Sequence, residues 1–207
     1  MLSALSDWVT DVIDAIGYVG VALLIALENL FPPIPSEIVL PFAGFVASDR
    51  GGLALIGMVV AATVGSLVGA WALYGLARWI GRERLTRFLV RYGRWLRLSA
   101  ADVGRAERWF DRREVVALLV GRCVPLVRSL VSIPAGFSET PFWRFTLYTA
   151  IGSAIWNAML ISVGYALRDN WEDVEPVFDW FQYVVLALIV AVIAWFIWRR
   201  RFSVHAR

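Results

Sequence analysis

The sequence predicts an all-α integral membrane protein. It is expected to be an inverted repeat of two re-entrant broken helices facing each other, with three full transmembrane helices and amphipathic helices on the membrane surface. Three observations predict this. The 207 residues are 59% hydrophobic and 18% charged, with a mean hydropathy of +0.66, whereas a soluble domain is nearer half apolar and a quarter charged. Three charge-free stretches, Gly51–Ala77, Phe145–Leu167 and Trp180–Trp198, are long enough to cross a bilayer, which takes roughly 20 apolar residues. Two further hydrophobic segments are broken by proline, carry two charges each, and overlay on one another.

Taken in order, the chain reads as one membrane domain over 1–207. Residues 1–16 form an amphipathic helix, with Asp7, Asp11 and Asp14 on one face and Leu2, Leu5, Val9, Val12 and Ile16 on the other. No basic n-region precedes the first apolar run, so a cleaved signal peptide is not expected. The first repeat is 17–77, with a re-entrant segment at 28–48 and a span at 51–77. As a helix that span measures about 40 Å, so it is tilted or partly interfacial.

The basic connector 78–114 reads as two surface helices. Arg82–Leu98 mixes arginines with Leu85, Phe88, Leu89, Tyr92, Trp95 and Leu96. A second start is capped by Ser99 with Asp102, followed by Val103, Ala106 and Phe110. Beside three spans, arginines interleaved with aromatics fit anionic lipid headgroups better than nucleic acid. The second repeat is 115–167, with a re-entrant segment at 115–140 and a span at 145–167, and 180–198 is the last span.

Arginine placement sets the orientation, because cytoplasmic loops carry the excess of basic residues. The connector 78–114 holds 11 Arg against 5 acids, the tail 199–207 holds 4 Arg and no acid, and 168–179 holds 5 acids and one Arg. The connector and the C-terminus are therefore expected in the cytoplasm and 168–179 outside. If both broken segments return to the side they enter from, the N-terminus is outside. Alternatively, 17–27 combines with part of the first segment to cross.

The broken segments run from Glu28 to Phe45 and from Gly121 to Phe137. Proline interrupts a helix by removing a donor and crowding the preceding turn. Irregular backbone at membrane depth survives only where protein buries it or water lines it. A shift of 92 places Pro33 on Pro125 and Ala43-Gly44-Phe45 on Ala135-Gly136-Phe137; each is followed by a span containing Gly-Ser, at Gly65-Ser66 and Gly152-Ser153. A broken helix plus a span, repeated from opposite faces, is the inverted-repeat design of secondary transporters, whose sites lie where the broken helices meet.

Glu28, Glu37, Arg122 and Arg128 sit inside these segments. Each charge at bilayer depth costs roughly 2.5–3.5 kcal/mol, so four unpaired ones would cost on the order of 12 kcal/mol, as much as a whole domain's stability. They must pair or face a hydrated cavity. Arginine grips phosphate bidentately and stays charged when desolvated. A glutamate can change charge, and so tighten or release its hold on an arginine. Asn29, Ser36, Ser129, Ser132 and Asn157 are placed to add neutral hydrogen bonds around Pro125, or simply to satisfy broken-helix backbone.

With one cysteine, Cys123, and one histidine, His205, the sequence supports no internal disulfide, no metal site and no histidine-centred catalysis, and no cofactor is expected.

At these residues the sequence resembles the DedA family, also called SNARE-associated or VTT-domain membrane proteins, over roughly 17–200. The resemblance rests on Gly121-Arg122-x-x-Pro125-x-x-Arg128, then Pro134-Ala135-Gly136, Phe145 and Gly152-x-x-x-Trp156. In the first half it rests on Glu28-Asn29, Pro-x-Pro-Ser36-Glu37 and Ala43-Gly44. Arg91-Tyr-Gly-Arg-Trp95 and Arg105-Ala-Glu-Arg-Trp-Phe110 in the connector are also similar.

The resemblance implies that Glu28, Glu37, Arg122 and Arg128 are the essential positions, although some members carry an Asp at a longer spacing where this chain has Glu37. It further implies lipid translocation in the bacterial cytoplasmic membrane, of undecaprenyl phosphate or of a phospholipid such as phosphatidylethanolamine, with dependence on the proton-motive force. Lipids, and protons with them, are then the expected partners, and self-association is left open. A proton-coupled transporter of ions or small solutes, a membrane enzyme such as a lipid phosphatase, and a structural or partner-binding role are the competing readings.

Overall fold

The computed structural model describes residues 2–30, 36–92, 100–125, 127–138 and 140–167, and every regular element among them is an α-helix. In chain order these are α1 (Leu2–Leu30), α2 (Ser36–Ser48), α3 (Gly52–Ile80), α4 (Arg82–Tyr92), α5 (Ala100–Arg112), α6 (Glu114–Arg122), α7 (Val127–Leu130), α8 (Ser132–Phe137) and α9 (Phe142–Ala166). The stretches 168–179 and 180–198, the C-terminal tail, residues 31–35 and Ser99 lie outside the described residues, as does the side chain of Ser36.

Among the described residues, two helices, α3 and α9, are long and apolar enough to cross a membrane. They overrun the expected spans at the same end of the molecule. Helix α3 continues past Ala77 to Ile80 and takes Arg78 into its last turn, while α9 begins at Phe142 and includes Arg144. Both arginines are exposed. A long side chain can lie along a helix and keep its charged head in water, so a single terminal arginine does not end the helix. Arg78 is also favoured there by the negative end of the helix dipole.

The two long helices run antiparallel. Trp71 Nε1 donates to Thr146 Oγ1 at 3.0 Å, and Asn157 Nδ2 donates to Ser66 Oγ at 3.3 Å and Thr63 Oγ1 at 3.4 Å. The second half of α1, after a bend at Gly17 (φ 57°, ψ −131°), lies parallel to α3, with Tyr18, Ala22 and Ala26 against Gly57, Gly65 and Gly69. Helices in lipid gain nothing from hiding apolar surface from one another, so small residues that bring backbones together carry the packing. The buried side of α3 is built that way, from Ala54, Ala61, Ala62, Gly65, Ser66, Gly69 and Ala70.

Helix α2 departs from the expectation that its prolines would break it, because Pro41 sits inside it. The proline removes the donor that would serve the Glu37 carbonyl. Packing holds the helix together: the Pro41 backbone lies against Gly164 of α9, and Gly44 lies against the Ile161 carbonyl, so closely that a Cβ on either glycine would overlap the opposing backbone.

The second broken segment forms three short helices. It leaves the end of α5, where Arg113 N donates to the Phe110 carbonyl at 3.0 Å, and α6 carries Arg122 to the level of Thr149 and Gly152, near the middle of α9. After breaks that follow Arg122 and fall at Val131, α8 returns to the last turns of α3, with Gly136 against Tyr74, Ala77 and Arg78. The segment thus starts and finishes at the arginine-rich end of α3.

One core cluster joins α1, α2, α3 and α9 around Leu24, Ile25, Leu40, Met58 and Ile161; the other joins Tyr74, Phe110, Leu118, Val131 and Phe145. On the opposite sides, Leu53, Ile56, Val60, Val64 and Val68 of α3 and Ile151, Ile155 and Met159 of α9 are exposed in helical stripes. Apolar stripes of that extent are what a lipid-facing surface presents.

Candidate functional site

The functional candidates gather where the end of α1 meets the breaks between α6, α7 and α8. Arg128, on α7, donates from Nη2 to Glu28 Oε2 at 2.7 Å, with side chains only 5% and 7% exposed. The neighbouring residues repeat the contact in neutral form. Ser129 Oγ donates to Asn29 Oδ1 at 3.3 Å, and Asn29 Nδ2 donates back to the Ile25 carbonyl at 3.0 Å. Two consecutive residues on each segment therefore clasp the two halves of the chain together.

Arg122, the last residue of α6, is 1% exposed. Its Nη2 donates to Ser132 Oγ of α8 at 2.7 Å and, more weakly, to Thr149 Oγ1 of α9 at 3.5 Å, and its guanidinium carbon lies 5.9 Å from the centre of the Phe145 ring. Gly152 makes room for this side chain, since a Cβ there would sit 2.9 Å from Arg122 Cβ. The Nε of Arg122 finds no acceptor, and no carboxylate pairs with the guanidinium among the described residues. Hydroxyls and an aromatic face solvate this cation in part, but they do not neutralise it.

Of the four charges singled out in the sequence, the structure therefore pairs two and leaves two apart. Glu37 lies half-buried in the first turn of α2, where the helix dipole favours a carboxylate, and it has no ion-pair or hydrogen-bond partner among the described residues. Pro125 is half-buried at the break between α6 and α7. Asn157 is fully buried and bridges α9 to α3, with its Oδ1 left without a donor. No group of three His, Cys, Asp or Glu that could hold a metal ion occurs among the described residues.

Sequence reasoning missed Thr149 as a partner of Arg122, and Tyr74, whose ring stacks on Phe145 at 4.6 Å. A signal for Thr149 was present. Thr149, Ser153 and Asn157 recur every four residues along an apolar span, marking one polar stripe on α9.

Comparison with known proteins fits this architecture. Residues 34–166 match the family model described as the VTT domain. The chain is 42% identical over 186 residues to a protein of Lactococcus lactis subsp. cremoris named alkaline phosphatase-like protein, covering 89% of this chain and 86% of that one. It is 35% identical over 188 residues to undecaprenyl phosphate transporter A of Staphylococcus aureus, covering 91% and 92%. With undecaprenyl phosphate transporter A of Bacillus subtilis it shares 30% identity over 208 residues, covering 100% and 98%. No solved structure matches. The matched region, the two apolar helices and the clasped Glu/Arg segments agree: the chain is a membrane protein and belongs to the VTT-domain family, the DedA family.

Proposed function

We propose that the protein translocates a lipid phosphate, of the undecaprenyl or polyprenyl phosphate kind, across the bacterial cytoplasmic membrane. The observation that carries this reading is Arg122, a guanidinium buried among hydroxyls with no carboxylate partner among the described residues. A buried cation without a counterion is a site for an anion, and a phosphate accepts two parallel bonds from an arginine. The relatives named as undecaprenyl phosphate transporters supply the substrate class.

In this reading the two broken segments are re-entrant, and Arg122 and Arg128 hold the phosphate at their meeting point. Glu28 competes with the phosphate for Arg128. Protonating Glu28 cancels its charge and frees Arg128 for the substrate; loss of the proton re-forms the ion pair and expels it. The Glu28–Arg128 pair is what supports proton coupling in this reading. Glu37 is assigned as the second acid of the pathway, with Ser36, Asn29, Ser129, Ser132 and Asn157 lining it.

The name of the Lactococcus relatives favours a second reading, phosphate-ester hydrolysis. The chain's one histidine is His205 and its one cysteine is Cys123, so a phosphatase would have to work without the histidine nucleophiles common in such enzymes. A single experiment separates the readings. The purified protein is reconstituted in liposomes containing a labelled polyprenyl phosphate, a labelled phospholipid and, in a parallel set, an imposed pH gradient. Movement of the polyprenyl phosphate between leaflets with the ester intact is expected. Release of inorganic phosphate supports hydrolysis, and movement of the phospholipid alone reassigns the substrate.

A further inference from the structure

A cavity of about 330 Å³ opens at the arginine-rich end of the molecule, lined by Arg78 and Gly81 at the end of α3, Arg82 at the start of α4, Arg108 and Asp111 of α5, and Gly136, Phe137 and Ser138 at the end of α8. We propose that this cavity is a second phosphate site, which docks the phosphate headgroup before or after its passage through the buried site. The inference rests on the transport reading for its place in the path, but not for its ligand chemistry.

The sequence reading assigns these arginines to a general basic surface. The structure instead brings three of them, from three separate helices, to one concave site that holds a single carboxylate among the described residues. Like charges gathered in a cavity repel one another unless an anion lies between them, and phosphate has acceptors enough for several guanidinium forks. Among the described residues, no carboxylate forms an ion pair with Arg78 or Arg108. The volume lies in the range of small-molecule sites, and the opening leaves room for an attached chain to remain outside.

The cavity is also wired to the buried site. Arg78 Nη1 donates to the Tyr74 hydroxyl at 2.8 Å, and that hydroxyl donates to the Thr140 carbonyl at 2.7 Å. The Tyr74 ring stacks on Phe145, and Arg122 lies over the other partner of that stack at 5.9 Å. Arg78 and Arg122 thus stand at the two ends of one chain of contacts through Tyr74 and Phe145. The residue after α8, Ser138, lines the cavity, while Ser132 at the start of α8 holds Arg122. One short helix therefore has the surface cavity at one end and the buried arginine at the other.

The test uses the full chain in phosphatidylcholine nanodiscs, titrated with farnesyl phosphate, with farnesol and with inorganic phosphate. The parent carries Glu28→Gln, Arg122→Gln and Arg128→Gln, so that the buried site is disabled without leaving a buried carboxylate unpaired. Farnesyl phosphate is expected still to bind, farnesol is not, and adding Arg108→Gln should weaken binding about tenfold or more, as losing a charged hydrogen bond does. Arg112→Gln, an exposed α5 arginine outside the cavity, should leave binding unchanged. Because Arg108 is exposed, the fold should survive its replacement, and equal melting temperatures check this. Arg78→Gln provides an independent second variant.

Equal affinity for inorganic phosphate assigns the cavity to free phosphate; farnesyl phosphate bound at least about tenfold more tightly assigns it to a lipid headgroup. Both outcomes support a phosphate site. Unchanged affinity in Arg108→Gln and Arg78→Gln overturns it, as does an equal loss in Arg112→Gln. Arg108-dependent binding by a protein that moves no polyprenyl phosphate in liposomes would sink the transport reading and leave the cavity site standing.

Discussion

A guanidinium that has lost its water needs other acceptors, and the two buried arginines meet that need differently. Arg128 has a carboxylate at 2.7 Å, whereas Arg122 has two hydroxyls and a ring. The difference yields two predictions. Arg122→Lys should fold but lose most transport, because an ammonium is a point charge that cannot form the planar double contact and cannot reach Ser132 and Thr149 in the same way. Transport and melting temperature measured together check this; full activity in the lysine variant would remove the bidentate argument.

For the ion pair, Glu28→Gln alone should destabilise by about 3–5 kcal/mol, since it leaves Arg128 buried without its counterion. The double variant Glu28→Gln with Arg128→Gln should regain the stability and remain inactive. Full transport by that double variant would make the pair purely structural. At this scale the sequence identified the four charges, because charges at membrane depth stand out in any apolar segment. It could not say which acid meets which arginine. That depends on the distance between residues 100 apart in the chain, and Glu37 keeps its place at a helix start.

At the scale of elements, the close contact between α2 and α9 is made by backbone meeting backbone at Gly44 and Gly164. Gly164→Leu should force α2 away from α9 and destabilise the protein by about 1–3 kcal/mol or more, as overpacking does. Gly75→Ala on α3, where an added Cβ meets nothing within 4 Å, should be neutral or slightly stabilising, because alanine is the better helix former. Thermal melting of the two variants in one detergent checks the contrast. This contact also explains why proline was a poor guide to the helix boundary. Pro41 signals a break locally, but the packing of its own backbone on Gly164 keeps α2 continuous. At the second segment the close backbone contacts fall at Gly152 and Gly136 rather than at Pro125, and α6 ends at Arg122, before the proline.

At the scale of the whole molecule, the exposed arginines among the described residues gather at one end, Arg50 ahead of α3 excepted. Arg78, Arg82, Arg108 and Arg144 all belong to the end of α3, the start of α9 or the helices joined to them, and the second broken segment both leaves from and returns to that end. An anionic inner leaflet attracts basic segments by about 1 kcal/mol for each arginine near its surface, so this end should face the cytoplasm. Single cysteines placed in a Cys123→Ala background, at Arg84 on α4 and at Trp171 in the acidic stretch, should react with a membrane-impermeant maleimide from opposite sides. The Arg84 position should react only after the membrane is opened. A third cysteine at Ser3 tests the N-terminus. Since the second half of α1 runs parallel to α3, its start lies at the end of the molecule opposite Arg84. If Gly17 turns the chain without carrying it back across, Ser3 should label with Trp171. Labelling of Ser3 with Arg84 would mean that residues before Gly17 cross the membrane, and would cost the first repeat its symmetry with the second.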